Sequence, residues 1–143
     1  LGREYPDHPI VGVAAIIIQD RRILLIRRGH EPGKGQWSVP GGLVETGETL
    51  AAAVRREAFE ETGLLVEPEE MATVAEAITP DETGRVRFHY VLIDFFARPV
   101  GGKPSPASDV TDLRWVTGQE AMELDLTEGV RTFVKELMSR GRL

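Results

Sequence analysis

Apolar positions along the chain change period several times, and each change marks an element. Ile10 to Ile18 is an almost unbroken run of Val, Ala and Ile, the pattern of a strand buried on both faces. Asp20-Arg21 interrupts the run as a tight turn, and Ile23 to Arg28 follows as the return strand of a hairpin. Arg27 and Arg28 close that strand, and alternation sends their side chains to opposite faces. Gly29 to Gly35 reads as a loop, Trp37 to Val39 as a short strand, and Pro40-Gly41-Gly42 as a turn where backbone can approach a ligand.

The period then becomes helical. Thr49 is a good N-cap, Gly63 a good C′ residue, and Leu50, Val54 and Ala58 recur four apart between them. Leu64 to Val66 begins a strand that Pro68-Glu69-Glu70 breaks, and Ala72 to Thr79 reads as the next. Residues 80–84 form a loop. Arg85 to Ala97, β-branched and aromatic, predicts a central strand, and the Gly-, Pro- and Ser-rich Arg98 to Ser108 a flexible loop. Leu113 to Val116 is a further strand. Thr127 to Arg140 is an amphipathic helix with Val130, Phe133, Val134 and Leu137 on its apolar face. Periodicity alone therefore gives one mixed α/β domain, residues 1–143, with no internal repeat.

Composition narrows the class. The chain has 143 residues, 41% hydrophobic and 28% charged, as in an ordinary globular domain. There is no cysteine, which excludes disulfides and thiolate metal sites and fits a reducing, cytoplasmic setting. The longest early apolar run is too short to span a bilayer, so no membrane association is expected. A net charge of −6 disfavours a broad nucleic-acid surface. It leaves room for a small anionic substrate, because bound metal ions reverse the local charge.

The acids of the helix carry the chemistry. At about 100° per residue, Glu60 lies roughly 60° to one side of Glu57 and Glu61 roughly 40° to the other. Leu50, Val54 and Ala58 project about +20°, +60° and +100° from Glu57 on the same wheel, so the acids continue the apolar stripe and face the protein body. Carboxylates crowded near a core repel one another unless protons or a cation neutralise them. An all-oxygen cluster of this kind suits a hard divalent ion, Mg²⁺ or Mn²⁺.

Gly42 to Leu64 resembles the Nudix box, G-x5-E-x7-R-E-U-x-E-E-x-G-U with U apolar. Gly42, Glu48, Arg56, Glu57, Glu60, Glu61 and Gly63 fill its fixed places, and Ala58 and Leu64 its apolar ones. The resemblance implies an α/β/α sandwich with a mixed sheet. It also implies hydrolysis of a nucleoside diphosphate linked to another group. Glu57 and Glu61 become metal ligands, Glu60 a ligand or a base for water, the Gly42 carbonyl a further ligand, and Arg56 an organiser of carboxylates. A phosphate-binding arginine is expected from Arg27. Trp37 is a candidate to stack on a base, with a core role as the competing reading. Asp109, six residues before Trp115, is the candidate distant acid. Many family members dimerise, which makes a homodimer, with the Leu1 to Pro9 arm as a contact, a further expectation.

Substrate choice rests on one marker. Members acting on ADP-ribose often carry a proline sixteen residues after the box, and Pro80 stands sixteen after Leu64. This favours ADP-ribose or a related nucleoside diphosphate sugar, giving a nucleoside monophosphate and a sugar phosphate. The alternatives are a nucleoside triphosphate pyrophosphohydrolase that removes oxidised nucleotides, and a binding module without turnover.

Overall fold

The computed structural model describes residues 3–143. Strands β1 (Ile10–Gln19) and β2 (Arg22–Arg28) form the expected hairpin. Asp20 and Arg21 between them both adopt positive φ, 52° and 58°, as a two-residue turn that follows the strand twist requires. Two short strands, β3 (Trp37–Ser38) and β4 (Gly41–Leu43), precede helix α1 (Leu50–Thr62). Two long strands follow, β5 (Leu64–Pro80) and β6 (Val86–Gly102), then β7 (Val110–Val116), α2 (Gly118–Met122) and α3 (Glu128–Ser139). The sheet has seven strands in the order β3-β2-β1-β6-β5, with β4 also pairing β1 and β7 pairing β2. The β1–β6 pair is parallel and the others antiparallel, so the sheet is mixed.

Alternation on β1 divides the interior into two layers. Val13, Ala15 and Ile17 pack with Ala53, Val54 and Ala58 of α1 on one side. Ala14, Ile16 and Ile18 face the other side, with Val134 and Leu137 of α3. The period of two in the strand and of 3.6 in the helices thus produce the α/β/α sandwich that the resemblance implied.

Two expectations about the long strands need correction, and one helix went unforeseen. Pro68 does not divide β5: its strand runs from Leu64 to Pro80 with shifts of register near Pro68 and Met71. As the last strand of the sheet, β5 tolerates a residue without an N–H, and the bulges absorb the break. Arg98 to Gly102 is not loop but the end of β6, paired with Leu64 to Glu67. Pro99 fits there because the pairing of β6 with β1 ends at Ala97, leaving that side of the strand open. Helix α2 was not foreseen; at five residues it is too short to show a period, although Thr117 and Glu120 form a capping box.

The N-terminal arm is tied down where it is described. Tyr5 donates its N–H to the Arg87 carbonyl at 2.7 Å and its hydroxyl to Asp81 at 2.9 Å, and Arg87 pairs with Glu4. Leu1 and Gly2 of that arm lie outside the described residues. The outward row of β5, Met71, Val74 and Ile78, is exposed. No helix among the described residues is long and apolar enough to cross a membrane.

Candidate active site

Helix α1 begins and ends as its sequence dictates. The Thr49 hydroxyl accepts the Ala52 N–H at 3.1 Å, and Gly63 takes φ 75°, which turns the chain directly into β5. A β-carbon at Gly63 would also lie 2.5 Å from the Lys103 carbonyl.

Arg56 is the hub of the acids on this helix. Its Nε and Nη2 donate in parallel to the two carboxylate oxygens of Glu48, at 2.7 and 2.9 Å. Its Nη1 reaches Glu57 at 2.7 Å and Glu60 at 3.3 Å, and Nη2 also donates to the Leu43 carbonyl at 2.9 Å. The guanidinium holds the Glu48 carboxyl well below the usual range, at about 2, and these acids in turn raise the pKa of Arg56 itself. Arg56 therefore ties α1 to the loop before it and to β4.

Glu57 and Glu61 project together toward Gly41-Gly42. The Gly41 N–H donates to Glu61 Oε1 at 2.8 Å. The Glu57 carboxylate lies directly over the Gly42 α-carbon, where a β-carbon would sit 2.3 Å from it. Burial raises the pKa of both acids. Glu61 is pushed up to about 7, with repulsion from Glu57 adding to the effect of burial. Glu60 departs from the sequence picture: its side chain is 50% exposed, against 15% for Glu57, and it turns toward Arg56. Among the described residues no three His, Cys, Asp or Glu side chains gather closely enough to cage a metal by themselves. Two partly buried carboxylates that both face Gly41-Gly42 nonetheless match the few protein oxygens that Mg²⁺ uses when substrate phosphates and water complete its shell.

These acids line an open pocket of about 780 Å³, with His30 and Asp109 at its rim. His30 Nδ1 lies 3.6 Å from Asp109 Oδ2, and burial lowers the pKa of the imidazole. A second cleft of about 740 Å³ runs over the sheet toward α3 and shares Arg28, Gly41 and Gly42 with the acidic pocket.

Three expected substrate contacts do not reach either compartment, since Arg27, Trp37 and Pro80 line neither. Arg27 is exposed and donates to the Gly35 carbonyl at 3.1 Å. Trp37 is 6% exposed in the core with Leu126 and Val116, and the Arg114 guanidinium lies 5.0 Å from its ring centre. The ring thus packs as a core residue. Pro80 is an exposed strand end. The arginine that enters the site is Arg28. Its Nε donates to the Pro32 carbonyl at 2.6 Å, while Nη2 is buried with no hydrogen-bond partner among the described residues. Burial lowers its pKa, and the negative charge of Glu61 opposes that shift.

The fold and the box converge on one family, and a family model described as NUDIX domain matches residues 8–137. The chain belongs to the NUDIX domain family. An ADP-ribose pyrophosphatase of Methanocaldococcus jannaschii is 39% identical over 105 residues, which span 73% of this Nudix chain and 60% of that relative. The chain therefore covers less than two thirds of the relative's length. The crystal structure of a MutT NUDIX hydrolase from Burkholderia pseudomallei superposes with a TM-score of 0.77 at 30% identity, covering 92% of this chain and 99% of the other. A bifunctional NMN adenylyltransferase/ADP ribose pyrophosphatase from Francisella tularensis, solved with AMP and a Mn ion, gives a TM-score of 0.66 at 25% identity. That match covers 93% of this chain and 42% of the other.

Proposed function

We propose that this Nudix chain hydrolyses the pyrophosphate of a nucleoside diphosphate sugar, with ADP-ribose the preferred substrate and AMP and ribose 5-phosphate the products. One observation carries the reading: the paired carboxylates of Glu57 and Glu61 face Gly41-Gly42, where the buried, unpartnered edge of Arg28 joins the acidic pocket to the second cleft. The acids alone would repel a pyrophosphate. With Mg²⁺ or Mn²⁺ held by Glu57, Glu61 and the Gly42 carbonyl, the metal would neutralise phosphate charge and lower the pKa of a bound water. Arg56 fixes the Glu57 carboxylate through the 2.7 Å bond. Glu60, half-exposed on the same turn, accepts the proton of the attacking water, and Asp109 beside His30 is the alternative acceptor. Arg28 offers fixed N–H donors to the substrate phosphates. The name of the Methanocaldococcus relative supports a nucleoside diphosphate over other anhydrides.

The test is product analysis with Mg²⁺ across ADP-ribose, NDP-sugars, dinucleoside polyphosphates and normal or oxidised NTPs, ranked by kcat/KM. AMP and ribose 5-phosphate released fastest from ADP-ribose is the expected result. Pyrophosphate release from an NTP as the fastest reaction would move the enzyme to nucleotide-pool cleaning, and binding without any cleavage would make it a recognition module.

Arg28 and Arg27 separate cleanly in the same assay. Losing a hydrogen bond to a charged partner costs about 1.5–3 kcal/mol, so Arg28→Gln is expected to lower kcat/KM roughly 10- to 100-fold. Arg27→Gln leaves it within about twofold, because that side chain serves only the surface. Equal effects from both variants would remove Arg28 from the site.

A further inference from the structure

The second cleft holds a carboxyl that the proposed reaction does not use. Asp94 sits in the middle of β6 between Ile93 and Phe95, on the face that looks into this cleft. No hydrogen bond or ion pair to its side chain is present among the described residues. Burial alone pushes its pKa up to about 6. A carboxyl left without partners on the floor of a sheet is costly and adds nothing to packing, which sets it apart from its neighbours Leu92 and Phe96.

Its position relative to the acidic pocket is fixed by register. Gly41 pairs with Ala14, Ala14 with Asp94, and Asp94 with Thr73, so the four form one row across the sheet. At about 4.8 Å per strand, the Asp94 backbone lies roughly 10 Å from that of Gly41. A 5′-nucleotide spans a distance of that order from its phosphate to the exocyclic group of its base. Arg28 is the one cation among the described residues lining the cleft, and it stands at the end shared with the acidic pocket. The other charged lining groups, Glu76 of β5 and Glu128 and Glu136 of α3, are acidic. The cleft thus has a phosphate end and an acceptor end, and its floor carries small apolar side chains that leave room for a flat ring, Ala14 of β1 beside Asp94 and Ala75 and Ala77 of β5 on the other side of β6.

We propose that Asp94 reads the base of the substrate nucleotide, its carboxyl accepting a hydrogen bond from an exocyclic amino group, the N6 amino group of adenine in ADP-ribose. This rests on the nucleoside diphosphate reading and adds to it the residue that selects the base. Inosine presents a carbonyl oxygen at the same place, which a carboxylate repels.

The test compares wild type, Asp94→Asn and Asp94→Leu at pH 8. Affinities for AMP and IMP are measured by calorimetry, and KM values for ADP-ribose and IDP-ribose by product release. Wild type is expected to prefer the amino base by about tenfold or more in both measurements, as one hydrogen bond and one avoided repulsion allow. Asn keeps an acceptor oxygen and retains AMP binding within about threefold, whereas Leu loses the preference and brings the ratio near one. A wild-type ratio near one, or a Leu variant that weakens AMP and IMP equally, overturns the assignment. Because the AMP and IMP affinities need no turnover, they test Asp94 even if ADP-ribose is not cleaved. A failure confined to the base preference leaves the hydrolase reading intact.

Discussion

Glu61→Gln is expected to produce a protein that is more stable and inactive. In the folded chain the Glu61 carboxyl titrates at about 7, against an ordinary value of 4.5. Between those values the folded state keeps a proton that the unfolded state has released, so stability falls as pH rises through this window. Above pH 7 the full cost is present, on the order of 3 kcal/mol from the size of the shift. Gln carries no charge, and its oxygen can still accept the Gly41 N–H. In metal-free protein at pH 8 the variant should therefore melt on the order of 5 °C higher than wild type, with the gap closing toward pH 4.5. Activity should fall by about 10²–10³-fold or more, as when a group aimed at developing charge is removed. Thermal melts across pH in chelator, beside steady-state assays with Mg²⁺, make the comparison. A variant that loses stability at pH 8, or keeps its turnover, would contradict the role given to this side chain.

The two adjacent glycines should fail in opposite ways. A β-carbon at Gly41 would lie 2.3 Å from the Val13 carbonyl oxygen and 2.9 Å from the Ala14 α-carbon, both backbone atoms of the central strand. Nothing there can move without separating β4 from β1, so Gly41→Ala should lower stability by about 2 kcal/mol or more. At Gly42 the atoms in the way belong to the Glu57 carboxylate, at 2.3 to 2.5 Å, the far end of a side chain with three rotatable bonds. Gly42→Ala should keep the fold, with a melting temperature within a few degrees of wild type. The displaced carboxylate should cost roughly 10²-fold in kcat/KM, the penalty of an ångström-scale misplacement at a reacting centre. Urea denaturation and kinetics on both variants distinguish the cases. Parallel losses of stability in the two would mean that Gly42 serves only the turn.

The helix with its acids was legible in the sequence because its signals are local. Cap, period and C-terminal glycine all lie within the box, and Arg56 meets Glu48 and Glu57 within eight positions. The proposed substrate side was not legible, for physical reasons specific to each residue. Alternation correctly sends Arg27 and Arg28 to opposite faces, but the face that meets the site depends on which strands flank β2. The pairing of β2 with β7 also shifts register at that step. Trp37 looked available because a two-residue strand has no period from which burial can be read; its contacts come from Leu126 and Val116, far along the chain. Asp94 carried no signal, since a single acid in an aromatic strand is equally consistent with solvent until α3 and β5 enclose the space above it. Length and register of the long hairpin were obscured by prolines that are tolerated only on the open sides of strands.

The exposed row Met71, Val74 and Ile78 bears on how this protein behaves in a test tube. Strand β5 offers a long run of unpaired backbone beside those side chains, the kind of border along which separate molecules can zip together. The same strand carries Glu67, Glu69, Glu70 and Glu76. Glu67, Glu69 and Glu70 are paired with Arg55, Arg98 and Arg142, so at neutral pH the guard against such pairing is the net negative charge of the whole chain more than these glutamates. Near the isoelectric point of about 5.1 that guard weakens while the apolar row remains, so acidic buffers favour precipitation before they unfold the domain.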